Sequence, residues 1–126
     1  MRLILLIACG SALGGVARYW LSGVVAHRFG ELFPWGTLVV NIVGCALIGL
    51  LSGLHDSARV PLSAEARGFL MIGVMGGFTT FSSFSLQTLQ RVQEGDWLRA
   101  VANVLLSVIL CLVAVAFGYW LARLAD

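Results

Sequence analysis

Lysine is absent from the 126 residues, and only 11% of the chain is charged. None of the six carboxylates (Glu31, Asp56, Glu65, Glu94, Asp96, Asp126) falls inside a long apolar run. A proton-coupled transporter needs a titratable group at membrane depth, so this lack argues against a small exporter. No basic cluster points to nucleic acid. The two histidines, His27 and His55, stand at the ends of apolar runs, away from any Cys, Asp or Glu grouping with metal-ligand spacing. Cys9, Cys45 and Cys111 form no CxxC pair and read as small packing residues. No nucleophile–base pair and no phosphate-binding glycine loop is visible, which leaves no enzyme class supported.

Hydrophobic residues make up 60% of the chain, and mean hydropathy is +0.96. A bilayer span needs about 20 apolar residues. Charge-free windows predict an all-α membrane protein with four spans, about 3–26, 37–54, 68–90 and 100–122, in one domain covering residues 1–126. The first run superficially looks like a signal peptide, but it continues past Arg18 to Ala26 and is kept as a span. Pro34 and Pro61 fall in the connections, where helix breaks belong.

Arginines are balanced across the two sides. Arg2, Arg59, Arg67 and Arg123 share one side, and Arg28, Arg91 and Arg99 the other. That gives the positive-inside rule almost nothing to act on, so we expect insertion in both orientations and an antiparallel, dual-topology homodimer. Small or polar residues recur every four positions: Gly10, Gly14 and Arg18 on the first span, and Thr37, Asn41, Cys45, Gly49 and Gly53 on the second. The fourth carries Asn103, Ser107 and Cys111, with Gly118 beyond. Such stripes let helix backbones approach each other in lipid.

The third span is unusual. Residues 76–85 read Gly-Gly-Phe-Thr-Thr-Phe-Ser-Ser-Phe-Ser, five hydroxyls interleaved with three phenyl rings. Hydroxyls and amides can donate to an anion, and phenyl edges are weakly positive. Ordinary helix packing of the rings, and hydroxyls bonded back to their own helix, are the plainer readings. For Arg18 the plainer reading is snorkelling toward the headgroups. The Gly76–Gly77 pair, followed by β-branched Thr79 and Thr80, predicts a third helix broken mid-membrane. Carbonyls freed there could be satisfied by a cation.

The run resembles the signature of the Fluc (CrcB) fluoride channels. So do Gly14-Gly15-Val16-Ala17-Arg18-Tyr19-Trp20 and Gly36-Thr37-Leu38-Val39-Val40-Asn41, and the similarity covers all four spans. The resemblance implies a fluoride-selective channel for passive F⁻ efflux in the bacterial inner membrane, working as an antiparallel homodimer. It implies a structural Na⁺ on main-chain carbonyls of Gly76 and Thr79. It further implies a fluoride pathway built from Phe81, Phe84, Asn41, Thr80, Ser82, Ser83 and Ser107, with Arg18 near the aqueous vestibule. One departure stands out: where the family's fourth span carries a Gly-Ser pair and then a Thr, this chain has Leu110, Cys111 and Val115. The readings weighed against the channel are a small multidrug exporter and a membrane assembly protein without transport.

Overall fold

The computed structural model describes residues 1–57 and 61–124, so Arg59, one of the arginines in the charge balance, lies outside the described residues. Helices α1 (Arg2–Phe29), α2 (Trp35–Asp56) and α6 (Trp97–Leu124) are continuous. Between them the chain runs through α3 (Ala64–Arg67), a π-helical segment (Gly68–Met75), α4 (Gly76–Phe78) and α5 (Phe81–Gln93). The shortest span, α2 with 22 residues, is about 33 Å long at 1.5 Å per residue, enough to cross the hydrocarbon layer. Four helical stretches meet that standard of length and hydropathy: residues 2–29, 35–56, 64–93 and 97–124. Each outruns its charge-free window by about a turn or less, because charged and aromatic residues are welcome at the ends.

Local signals explain the boundaries. Pro34 precedes the first turn of α2, where its missing N–H costs nothing. Ser63 caps α3 by accepting from the Ala66 N–H at 3.1 Å. Gly95 adopts φ +78° in the short link between α5 and α6, a backbone state only glycine enters cheaply.

The helices associate as two parallel pairs, each closed by glycine. α1 lies on the first half of the third span. A Cβ on Gly10 would sit 2.5 Å from the Phe69 carbonyl oxygen, and one on Gly14 would sit 2.1 Å from that of Val74. α2 and α6 make the second pair: Gly49 meets the Val115 backbone, Gly53 meets Tyr119, and Gly118 meets Ala46. The small-residue stripes of the sequence are therefore the contact lines. Side-chain contacts fix which ends belong together, with Arg2 bridging to Glu65 at 3.3 Å and the Tyr119 hydroxyl donating to Asp56 at 3.2 Å. Few large side chains are fully enclosed; Val40 and Asn103 are the two largest among the described residues. Most long apolar side chains face outward, as suits a lipid-facing bundle.

Candidate functional site at the break in the third span

The third span is interrupted at Thr79 and Thr80, half-way along its length. Thr79 has ψ 155° and Thr80 has φ −149° and ψ 113°, both extended. The glycine pair was expected to be the point of unwinding, but Gly76, Gly77 and Phe78 form a helical turn. Gly77 serves a different purpose, since a Cβ there would lie 2.4 Å from the Ser11 carbonyl oxygen. The break sits further on because a residue of another helix holds it open. Asn41 on α2 faces Thr80 as a strand neighbour would: its Oδ1 accepts from the Thr80 N–H at 2.8 Å and its Nδ2 donates to the Thr80 carbonyl at 3.0 Å. Gly44, one turn along α2, makes room, because a Cβ there would lie 2.3 Å from Thr79 Cγ2.

Two helical hydrogen bonds are redirected as a result. In an unbroken helix the Thr80 N–H would bond the Gly76 carbonyl, and the Ser83 N–H that of Thr79. The first donates to Asn41 and the second to Thr80 Oγ1 at 3.2 Å, which caps α5. Thr80 Oγ1 donates in turn to Ser83 Oγ at 3.1 Å and lies 3.2 Å from Ser82 Oγ. The carbonyls of Gly76 and Thr79 therefore lose their helical donors, and both residues line the same cavity. Bare carbonyl oxygens are a suitable donor set for a hard monovalent cation.

The sequence-predicted residues divide between two cavities. One, of about 990 Å³, holds Arg18, Thr80 and Ser83 together with His27, Gln87 and Arg91. Arg18 is half-buried there and makes no ion pair among the described residues, although Glu31 lines the same cavity. The other, of about 490 Å³, holds Asn41, Gly76, Thr79, Thr80, Phe81, Phe84 and Ser107. Thr80 is the residue common to both. Ser82 is exposed and lines neither, although its hydroxyl reaches Thr80. Phe84 is 8% exposed and Phe81 77%, their centroids 5.1 Å apart with planes tilted by 49°.

Several hydroxyls follow the plainer reading. Thr79 donates to the Met75 carbonyl at 2.9 Å and Ser85 to that of Phe81 at 2.9 Å, each along its own chain. Asn103 ties α6 to α5 by donating to Thr88 Oγ1 at 2.8 Å, and its Oδ1 accepts from Ser107 at 3.4 Å. Thr88 completes the chain at the Phe84 carbonyl, 2.8 Å away. Sequence reasoning passed over Gly44 as an element of the break, and over Thr88 and Gln87. Gln87 carries a buried Oε1 without a partner among the described residues, and the i,i+4 spacing of Ser83 and Gln87 was the available signal.

Comparison with known proteins matches residues 5–119 to the family model described as CrcB-like protein, Camphor Resistance (CrcB). A fluoride-specific ion channel FluC of Opitutus terrae is 57% identical over 120 residues, covering 94% of this chain and 91% of the relative. One of Paramagnetospirillum magneticum is 54% identical over 122 residues (96% and 95%), and one of Rhodospirillum rubrum is 53% identical over 116 residues (91% and 90%). With four spanning helices and near-complete coverage by such relatives, the chain is a multi-pass membrane protein that belongs to the CrcB family.

Proposed function

We propose that the chain is a fluoride-selective channel, not an enzyme, that lets F⁻ leave the cytoplasm passively across the bacterial inner membrane. The observation that carries this reading is the position of Thr80 between two cavities of complementary character. An anion entering from the aqueous end meets Arg18 and the Ser83 hydroxyl; the latter accepts from Thr80 and so keeps its own hydrogen for a ligand. Beyond Thr80 it meets the edges of Phe81 and Phe84, and Ser107, whose hydroxyl would have to turn from Asn103 to donate to it. Donors fixed in place replace water around a small anion without reorganising, and ring edges add weak positive potential. The names of the relatives, all fluoride-specific channels, agree with this chemistry.

The working unit in this reading is an antiparallel homodimer of dual topology, with the helix break near the bilayer midplane. Gly76, Ser82 and Ser85 are exposed on the single chain. The two hydroxyls bond within the chain, but lipid cannot satisfy the Gly76 carbonyl, and a second copy would cover that face. By sequence, Arg28, Arg91 and Arg99 on one side oppose Arg2, Arg59, Arg67 and Arg123 on the other, which leaves little charge bias against either orientation. The freed carbonyls of Gly76 and Thr79 would hold a structural Na⁺, shared between the copies. That ion would supply a fixed positive charge and close the unpaired backbone.

Replacing Phe81 or Phe84 with Ile keeps bulk and removes the ring edge. The reading expects liposome-reconstituted F81I and F84I to lose most fluoride efflux while still forming dimers. Efflux at the parental rate in both variants would remove the rings from the pathway.

A further inference from the structure

The parallel packing of α2 on α6 puts two of the three cysteines face to face. Gly49 contacts Val115, and one turn on Gly53 contacts Tyr119. One turn back along the same two stripes, that register pairs Cys45 with Cys111. Both thiols are free and half-buried, both line the 490 Å³ cavity, and they are near enough to interact with each other electrostatically. The same cavity wall carries Phe81, Phe84 and Ser107. Cys9 is exposed on α1 and is absent from that wall.

We propose that Cys45 and Cys111 form a two-thiolate site for a soft d¹⁰ metal cation, and that metal held there obstructs the anion route. Soft thiolate ligands select soft cations, and two sulfurs suit a metal content with two ligands, such as Hg²⁺ or Cu⁺. Among the described residues no group of three or more His, Cys, Asp or Glu is present, which disfavours a tetrahedral Zn²⁺ site. On binding Hg²⁺, each thiol releases its proton to water and forms one S–Hg bond; no oxidation state changes. The helices need not separate, because the site is formed by side chains already facing the cavity. The obstruction rests on the channel reading above, whereas the metal site itself does not.

The test uses the full-length chain in a Cys9→Ser background, titrated with mercuric chloride. In detergent, the ultraviolet sulfur-to-mercury charge-transfer band should saturate at one metal per chain. C45S and C111S should each weaken binding on the order of 10²–10⁴-fold, the gain expected from tethering two ligands together. In liposomes, the same titration should stop fluoride efflux, with recovery on adding excess dithiothreitol. Each single-thiol variant should keep its own untreated rate at that dose. Equal mercury affinity in the pair and in the single-thiol variants would overturn the site. A saturated band with unchanged efflux would overturn the placement of the thiols in the route. Absence of efflux before any mercury would count against the channel reading and leave the spectroscopic result standing.

Discussion

Asn41 carries more of this structure than any charged side chain. It supplies a donor and an acceptor to the backbone of Thr80, 39 residues away, and so holds extended conformation inside what would otherwise be one helix. Its expected role was to donate to the anion; the geometry shows that one amide hydrogen is already committed to the Thr80 carbonyl. Asn41→Ala would leave the Thr80 N–H and C=O without that partner, at about 1–3 kcal/mol for each buried group unpaired. We expect lower thermal stability of the purified protein together with loss of fluoride efflux. An Asn41→Ala protein as stable as the parent would show that the break holds itself open. Nothing near residues 76–85 announced this dependence, because the partner belongs to another helix. The sequence run did identify the right region, since only there do polar groups crowd an apolar span.

Among the elements, the glycine-lined seams were legible from spacing alone, whereas the job of each glycine was not. Gly76 and Gly77 read as a breaking pair, yet Gly77 is a packing glycine against Ser11 and the helix continues through both. Gly118 sits where a Cβ would come within 2.1 Å of the Ala46 carbonyl oxygen. Gly118→Ala must push α6 off α2, and overpacking of this kind costs about 1–3 kcal/mol. Gly23 has nothing within 4 Å of an added Cβ, so Gly23→Ala should be neutral or slightly stabilising through better helix propensity. Paired thermal unfolding in the same detergent checks both; equal midpoints would deny the close α2–α6 seam.

At the start of α6, Asp96 accepts from the Arg99 backbone N–H at 3.2 Å and pairs with its guanidinium. That backbone hydrogen bond, with smaller help from the Arg99 and Arg91 charges, holds the Asp96 carboxyl below the usual carboxylate range. A depressed folded-state pKa contributes stability that is complete above the unfolded value and is lost as pH falls through the folded one. Protection of the Arg99 amide in hydrogen exchange should therefore stay constant from pH 8 to 5, after correction for intrinsic rates, and decline only below the ordinary carboxylate range. Loss of protection near pH 6 would contradict the assignment of the cap to Asp96.

For the whole molecule, hydropathy decided most of the architecture. Apolar runs separated by short polar links specify four spans, and the absence of any carboxylate from their charge-free central windows argued against a proton-driven exporter. Which helices pair was not legible, because the first, second and fourth spans all carry a small or polar stripe and only packing selects the α1–third span and α2–α6 partners. The departure at Cys111 and Val115 has a structural context: Val115 meets Gly49 in the seam, and Cys111 enters the cavity beside Ser107. In the proposed channel reading Ser107 is the hydroxyl that α6 keeps on the cavity wall, and it donates to Asn103, which in turn donates to Thr88.

The central claim, that this fold passes fluoride, is tested most directly by ion efflux from liposomes reconstituted with the protein and loaded with equal fluoride and chloride. Ion-selective electrodes follow both anions after potassium flux is opened with an ionophore. The account predicts rapid fluoride release with chloride retained. Fluoride retained by well-reconstituted protein, or chloride released alongside it at a similar rate, would contradict it.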